Sequence, residues 1–284
     1  MAAGCGSSDG PNGPPPLRNK IVFVSDRTGE QQIFVMNPDG SGQLQLTTID
    51  GIKAWPAISP NGRKIAFSTG DIEDGGASTL HVMNSDGSDL RALTSTPGVN
   101  YKPSWSPDGE RIAFGTTRDG NQEVYTMSAD GSTQVNRTNA DTYDFDAAWR
   151  PVGSSILIAS NRNNPGTSVY AIYSMTPSGD SLTPLVYGLQ PEWAPSGTKF
   201  LYKTTYETWI ALTPDASSTA FLFSDAEQRH YTPTWSPDES RLAYSLRADS
   251  HEEIWTMSAT DGGDARQLTT VDQGNNSYPT WSRH

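Results

Sequence analysis

The amino-acid sequence predicts an all-β fold, a six-bladed β-propeller of four-stranded antiparallel blades. A Pro-x-Trp-Ser motif recurs along the chain, and its central residues stand at positions 58, 105, 149, 193, 235 and 281. The spacings of 42 to 47 residues between them each suit one four-stranded blade. The repeat begins inside a blade and ends on a lone first strand, so the two chain ends are predicted to complete one blade together.

The first strand of each predicted blade, strand A, carries the Pro-x-Trp-Ser motif. The clearest copies, at 103–109 and 233–238, run on into a Ser-Pro-Asp turn, and weaker copies lie at 56–62, 147–151, 191–195 and 279–282. In this turn the proline fixes φ at the second position of a type I turn, and Asp suits the third. Since a tryptophan recurs in nearly every copy, we interpret the tryptophans as packing wedges in the core.

Strands B, C and D follow strand A in the same order in most copies. Strand B is a short β-rich run, at 64–67, 111–114, 155–158, 199–202 and 241–244, and strand C is clearest at 124–127 and 254–257. An Asp-Gly pair follows strand C at 39–40, 86–87, 130–131 and 261–262, and a Leu-Thr strand D follows at 46–47, 93–94 and 268–269. Asp-Gly between two β runs favours a tight hairpin, because primed turns need positive φ.

The ends of the chain predict how the ring closes. The first repeat starts with strand B at 20–23 and has no strand A before it, whereas the chain ends with a strand A at 278–282. Joining the two in one blade leaves no open sheet edge between the ends. We therefore predict a propeller over 20–284, closed by the C-terminal strand.

Residues 1–19 differ in composition from the rest and are predicted to form a flexible Gly/Ser/Pro tether. Cys5 heads this segment, and the residues at 2–5 resemble the end of a bacterial lipoprotein signal, although no hydrophobic region precedes them. We predict lipidation of Cys5, with an unmodified thiol in the tail as the alternative. A single cysteine excludes an internal disulfide and a cysteine metal cluster.

The net charge of the chain argues against two classes of partner, nucleic acid and anionic membranes. The chain has 20 basic and 32 acidic residues, for a formal net charge of −12. An acidic surface repels phosphate backbones, so nucleic acid and anionic membranes are not expected partners. No apolar run reaches the roughly 18 residues of a membrane span, so no transmembrane segment is predicted.

Taken together, these repeats resemble the TolB-type propeller family of bacterial envelope proteins. The Pro-x-Trp-Ser-Pro-Asp-Gly, Ile-Ala-Phe, Ile-Tyr-x-Met and Leu-Thr elements are its signature, and the resemblance covers 20–284. It implies an extracytoplasmic, non-enzymatic binding or scaffold protein. Related propellers also occur in some peptidases and in oligogalacturonate lyases. Two alternatives therefore stay open: an enzyme acting on acidic saccharides or peptides, and the accessory propeller of a peptidase.

The two faces of the predicted ring differ in how much their loops vary. Because strand direction alternates within a blade, the A–B and C–D turns share one face, here the turn face. The B–C loops and the crossovers from strand D to the next strand A share the other, here the loop face. The turn face repeats the same turns, whereas loops such as 69–78, 161–167 and 247–252 are varied. Binding residues tend to lie on such loops, so we predict the partner site on the loop face.

The residues just before each Pro-x-Trp motif are predicted to surround the channel mouth on the loop face, because strand A should be innermost. They form the predicted binding surface for a protein partner, with a small ligand as the alternative: Lys53, Trp55, Tyr101, Lys102, Asp144, Asp146, Gln190, His230, Tyr231 and Tyr278. The opposing interpretation is that the aromatic residues simply fill the channel.

The sequence predicts no catalytic residue, metal site or cofactor. Asp141, Asp144 and Asp146 loosely resemble part of a calcium loop, but their spacing is irregular and the distal Glu is missing. His230 could act as a general base, yet no nucleophile or paired acid can be placed beside it. The other histidines are scattered, and no pair has a zinc-like spacing.

Overall fold

A computed structural model confirms the six-bladed propeller of four-stranded antiparallel sheets. It describes residues 13–70, 76–205, 207–224, 229–248 and 250–283, apart from the side chains at 229–232, 248 and 271. Each sheet runs outward from the central channel in the order A, B, C, D. Within the described residues the only helical segment is a 3₁₀ turn at Val271–Gln273.

Five blades are built from consecutive strands. The second blade contains β4 (Lys53–Ile58), β5 (Lys64–Gly70), β6 (Ser78–Asn84) and β7 (Arg91–Ala92), and the third contains β8 (Asn100–Trp105), β9 (Arg111–Thr116), β10 (Glu123–Ser128) and β11 (Val135–Asn136). The fourth contains β12 (Asp144–Trp149), β13 (Ile156–Ser160), β14 (Ala171–Met175) and β15 (Thr183–Tyr187). The fifth contains β16 (Leu189–Trp193), β17 (Phe200–Lys203), β18 (Glu207–Ala211) and β19 (Thr219–Ser224), and the sixth contains β20 (Arg229–Trp235), β21 (Arg241–Ala248), β22 (His251–Ser258) and β23 (Arg266–Gln267).

The first blade joins both ends of the chain, as predicted. It consists of β1 (Ile21–Ser25), β2 (Gln32–Met36), β3 (Leu44–Gln45) and the C-terminal β24 (Asn276–Trp281), which is innermost. Strand β24 pairs antiparallel with β1, so that Trp281 opposes Ile21. The backbone N–H of Lys20 donates to Ser282 Oγ and the N–H of Ser282 donates to the Lys20 carbonyl, both at 2.8 Å. These two hydrogen bonds join the two ends of the propeller and close the ring.

The tryptophans of the Pro-x-Trp-Ser motif pack between blades, which confirms their interpretation as wedges. Trp149 and Trp193 are at most 2 % exposed. The indole N–H of Trp105 donates to the Ala57 carbonyl of the preceding blade at 3.0 Å. The core is therefore a ring of clusters, each shared by two neighbouring blades.

The threonine of the Leu-Thr motif fastens strand D to strand C. In the sixth blade the Thr269 hydroxyl accepts the backbone N–H of Ile254 at 2.8 Å and donates to the buried Glu253 carboxylate at 2.5 Å. In the second blade Thr94 accepts the N–H of Leu80 at 3.0 Å. One buried hydroxyl thus replaces part of the ladder where strand D is only two residues long.

Removing the threonine hydroxyl should destabilise the sixth blade more than the second, because Thr269 forms two hydrogen bonds and Thr94 forms one. Thr269→Val keeps the shape but leaves a buried N–H and a carboxylate without the hydroxyl, so we expect a loss of about 2–3 kcal/mol in the free energy of unfolding. Thr94→Val removes one bond and should cost about 1 kcal/mol. Chemical denaturation of both variants measures the difference. Equal losses would show that the Glu253 contact contributes nothing.

The last residues of the predicted tether lie against the turn face of the second blade. Leu17 donates its backbone N–H to the Gly62 carbonyl at 2.8 Å, and Arg63 Nη1 donates to the Pro14 carbonyl at 2.9 Å. Gly62 has φ of +70°, and a Cβ there would lie 2.6 Å from the Leu17 carbonyl oxygen, so the approach requires glycine. Cys5 lies outside the described residues, and its lipidation and the flexible tether stay predictions.

Candidate functional site

Strand A of every blade is interrupted by a β-bulge at the channel mouth. Strand pairing shifts register between Ala54 and Ala57 in the second blade, and an equivalent shift recurs in the other five. At the bulge, the residue just before the Pro-x-Trp position adopts a left-handed conformation. The φ values are 48° for Trp55, 49° for Lys102, 56° for Asp146, 52° for Gln190 and 50° for Tyr278.

The left-handed conformation is imposed by the ring and not by the residue types. A non-glycine residue there is strained by about 1–2 kcal/mol, and among these five positions only Asp146 is of a residue type that visits this region routinely. A bulge re-aims the side chain of the extra residue. Trp55, Lys102, Gln190 and Tyr278 accordingly line the central channel.

Half of the channel mouth is aromatic. Trp55 packs between Tyr101 and Tyr278, with ring centroids 5.8 and 5.4 Å apart. Tyr101 is buried and lies over Gly115 of the neighbouring strand, where a Cβ would come within 2.5 Å of its ring. Burial raises the pKa of the Tyr101 hydroxyl, and the Asp146 carboxylate raises it further. This hydroxyl therefore stays protonated and can only serve as a neutral hydrogen-bonding group.

The other half of the mouth is polar and internally paired. The Lys102 ammonium lies 2.8 Å from Asp146 Oδ1, and Asp146 Oδ2 accepts the backbone N–H of Gln190 at 3.1 Å. Gln190 Oε1 is buried and has no hydrogen-bond partner among the described residues. A buried amide oxygen without a partner is an acceptor available to a group that enters the channel.

Two ionisable groups lie deeper in the channel. Burial raises the pKa of the Glu192 carboxyl, although Arg283 and Lys102 oppose the shift. Burial likewise lowers the pKa of Arg283, opposed by Glu192. The channel cavity is about 120 Å³, whereas sites for drug-sized ligands measure roughly 300–1,000 Å³. It is large enough for a side chain and smaller than a site for a drug-sized ligand.

The predicted site residues fall into three groups. Trp55, Lys102, Asp146, Gln190 and Tyr278 occupy the left-handed positions at the mouth, with Tyr101 packed behind Trp55. Lys53 and Asp144 belong to strand A but are fully buried, so they are not available to a partner, which corrects their assignment to the binding surface. His230 and Tyr231 lie on β20, but their side chains are outside the described residues.

The two buried charged side chains, Lys53 and Asp144, stabilise the backbone beneath the loop face. The Lys53 ammonium donates to the carbonyls of Ile49 and Gly51, the latter at 2.6 Å, which ties the incoming crossover to strand A. Burial lowers the pKa of Lys53. Asp144 forms an ion pair of 2.8 Å with Arg162. Both side chains position the mouth and do not form it.

Sequence reasoning missed a set of arginines that clamp the strands A. Arg27, Arg118 and Arg162 each follow a strand B and donate at 2.8 Å to the side chain of the first residue of the innermost strand; their acceptors are Asn276, Asn100 and Asp144. The signal was present as a Ser/Thr-x-Arg pattern at 25–27, 116–118 and 160–162. It was overlooked because the arginines fall in loops of otherwise unequal sequence.

Comparison with known proteins identifies the family. The model of the TolB beta propeller domain matches residues 41–214, which is more than half of the chain. The chain belongs to the TolB β-propeller family. The match confirms the resemblance drawn from the repeats.

Individual relatives match over short stretches. An uncharacterized peptidase, YuxL, from Bacillus subtilis is 34 % identical over 37 % of this chain and 17 % of its own length. A TolB homolog from Chlorobaculum tepidum is 43 % identical over 17 % of this chain and 11 % of its own length. This TolB-family chain thus spans under a fifth of either relative.

The solved structure of TolB from Acinetobacter baumannii extends the likeness to the whole ring. It superposes with a TM-score of 0.78 at 21 % identity, covering 95 % of this chain and 68 % of that one. At this identity the likeness is one of fold. Within the described part of the chain, no three His, Cys, Asp or Glu side chains gather into a metal site, and no helix is long and apolar enough to cross a bilayer.

Proposed function

We propose that this TolB-family propeller is a non-enzymatic, extracytoplasmic scaffold that binds a protein partner at the channel mouth on the loop face. The observation that carries the proposal is the set of five left-handed residues at the mouth. Strained backbone persists where the surrounding structure imposes it, and such residues cluster at binding sites. Here the same bulge presents an indole, an ammonium, a carboxylate, an amide and a phenol.

The chemistry of the mouth suits a protein segment. Trp55 and Tyr278 offer half-buried aromatic surface, and Gln190 offers a buried acceptor without a partner among the described residues. Aromatic residues beside a few polar groups are typical of binding hot spots. The channel cavity is smaller than a drug-sized ligand needs, which favours an inserted protein side chain over a ligand of that size.

Family membership supports the setting and the absence of catalysis. The resemblance to TolB-type envelope proteins implies an extracytoplasmic location, in which lipidation of Cys5 would provide a membrane tether. Lys102 and Asp146 neutralise each other across the mouth, so neither is presented as an unpaired acid or base. The relative named as a peptidase keeps a hydrolytic or accessory role as the second candidate.

Binding should depend on Trp55 and not on the turn face. We expect Trp55→Ala to weaken the complex by more than about 1 kcal/mol, because it removes the aromatic centre of the mouth. The partner is first isolated on immobilised wild-type propeller from an envelope extract, and dissociation constants are then measured by calorimetry.

The matched control replaces turn residues on the opposite face. Asp86 and Asp130 are exposed and accept bonds from Ser88 and Ser132, which asparagine can also accept. Asp86→Asn and Asp130→Asn should leave the affinity unchanged. Loss of binding in the control variants with normal binding by Trp55→Ala would place the partner on the turn face and refute the proposal.

A further inference from the structure

Residues 14–17, here the strap, lie against both turns of the second blade on the turn face. Arg63, in the A–B turn, donates Nη1 to the Pro14 carbonyl at 2.9 Å. Ser85, which begins the C–D turn, donates its hydroxyl to the Pro15 carbonyl at 2.9 Å. Since proline has no N–H, a proline segment offers only carbonyls to a partner. Both turns of one blade therefore bind the backbone of the strap.

Leu17 extends this contact into the core. Its backbone N–H donates to the Gly62 carbonyl at 2.8 Å, and its side chain packs against the hydrophobic cluster shared by the first and second blades. A Cβ on Gly62 would lie 2.6 Å from the Leu17 carbonyl oxygen. The equivalent Gly109 of the third blade has φ of +72°, against +70° for Gly62, but a Cβ there would meet only Pro60 Cδ, at 3.7 Å. The close approach is thus specific to the turn that holds the strap.

The chain also stays held between the strap and the first strand. The indole N–H of Trp281 donates to Asn19 Oδ1 at 2.9 Å, and the Lys20 ammonium donates to Asn37 Oδ1. Strand β1 begins at Ile21 and, as a strand B, runs from the turn face toward the loop face. The N-terminal segment therefore leaves the propeller on the turn face, at the second blade.

The length of chain before the strap limits how the propeller can lie on an anchor. The nine peptide steps from Cys5 to Pro14 span at most about 30 Å. A path from Arg63 around the outside of the blade to the loop face crosses two strand spacings, about 10 Å, and then the length of a strand, about 20 Å. That path uses the whole length. Without the strap, the chain from Cys5 to Lys20 would span about 50 Å and leave length to spare.

We propose that the strap orients the propeller on its anchor, with the turn face toward the bilayer and the loop face away from it. This orientation rests on the lipid anchor at Cys5 that the proposed function includes, and it makes a lipid surface the neighbour of the turn face. It leaves Trp55 and the rest of the channel mouth accessible to a partner on the side opposite the bilayer.

The test attaches the full chain to phosphatidylcholine vesicles through its single cysteine, with a maleimide lipid as the anchor. A fluorescent amino acid replaces Ser178 on the turn face or Ser168 on the loop face, both exposed and both in the fourth blade. Energy transfer to a labelled headgroup reports how close each position lies to the bilayer. Transfer from position 178 should exceed that from position 168 at least about twofold, because about 20 Å of strand separates the faces. Equal transfer from the two positions would overturn the proposal.

A matched pair of glycine variants isolates the strap. Gly62→Ala should undock it, because the new Cβ collides with the backbone of Leu17. Gly109→Ala places alanine at the same positive φ without that collision. The transfer ratio should fall to about one in Gly62→Ala and keep its wild-type value in Gly109→Ala, whereas an unchanged ratio in Gly62→Ala refutes the role of the strap. If Gly62→Ala does not fold, Arg63→Ala combined with Ser85→Ala removes two bonds to the strap and takes its place.

Hydrogen exchange tests docking separately from anchoring and from the partner site. The Leu17 amide should be protected in the wild type and in Gly109→Ala, and should exchange at least about tenfold faster in Gly62→Ala. Free exchange in the wild type would overturn the proposal. An unmodified Cys5 in the native host would overturn the orientation and leave docking intact. Neither measurement contains a partner, so the affinity of Trp55→Ala does not affect the result.

Discussion

Deleting residues 278–284 is expected to abolish cooperative folding of the propeller. The deletion removes most of β24, including the buried wedge Trp281 and the bonds between Ser282 and Lys20. It leaves Ile21 and Val22 of β1 without their partners in the innermost strand. Loss of one buried tryptophan alone costs about 3–5 kcal/mol, which is a large part of the 5–15 kcal/mol that typically stabilises a domain.

Thermal unfolding followed by circular dichroism checks this expectation. A deletion of residues 283–284 alone keeps β24 and serves as the control, which should melt with a single transition. Adding a synthetic peptide of residues 276–284 to the truncated protein should restore the transition, because the missing strand can pair with β1 in trans. A truncated protein that melts like the full chain would refute closure through the C-terminal strand.

The second large effect is expected at the buried ion pair of the fourth blade. Asp144 is fully buried, and its Oδ1 has no hydrogen-bond partner among the described residues. Arg162→Ala leaves this carboxylate without its counter-charge, so we expect a loss of about 3 kcal/mol in unfolding free energy. In the third blade Arg118 donates to Asn100, a neutral acceptor, and Arg118→Ala should cost only about 1–2 kcal/mol.

Two other blades have asparagine at the position of Asp144, which suggests a variant that should rescue the loss. The equivalent position is Asn100 in the third blade and Asn276 in the first, and each directs its amide to the carbonyl two residues before, that of Gly98 or Gly274. Asp144→Asn should therefore be close to neutral, and the double variant with Arg162→Ala should recover most of the loss. Urea denaturation of the four proteins measures the coupling. Additive losses would show that the buried charge is not the cause.

The elements that were predicted from sequence are the local ones. Ser-Pro-Asp and Asp-Gly encode their turns over four residues, and the wedge tryptophans recur at blade length, so their roles follow from proximity in the chain. Closure of the ring was predictable because the N-terminal repeat has no strand A and the C-terminal end supplies one strand A without a blade of its own. The Ser/Thr-x-Arg pattern was also readable, but its acceptors, such as Asn276 for Arg27, lie up to 249 residues away.

Sequence by itself determined the blade number, the strand order and the turns, because each depends on a few adjacent residues, and it determined the closing strand because the repeat elements at the two ends can be counted. The tertiary structure alone decided which side chains are presented. Residues before proline favour extended backbone, yet the ring holds Trp55 and Lys102 in the left-handed region. Likewise Arg241 forms an ion pair of 2.8 Å with Asp264, which lies in another hairpin of its blade. Such choices depend on contacts between distant residues, for which local sequence preference provides no signal.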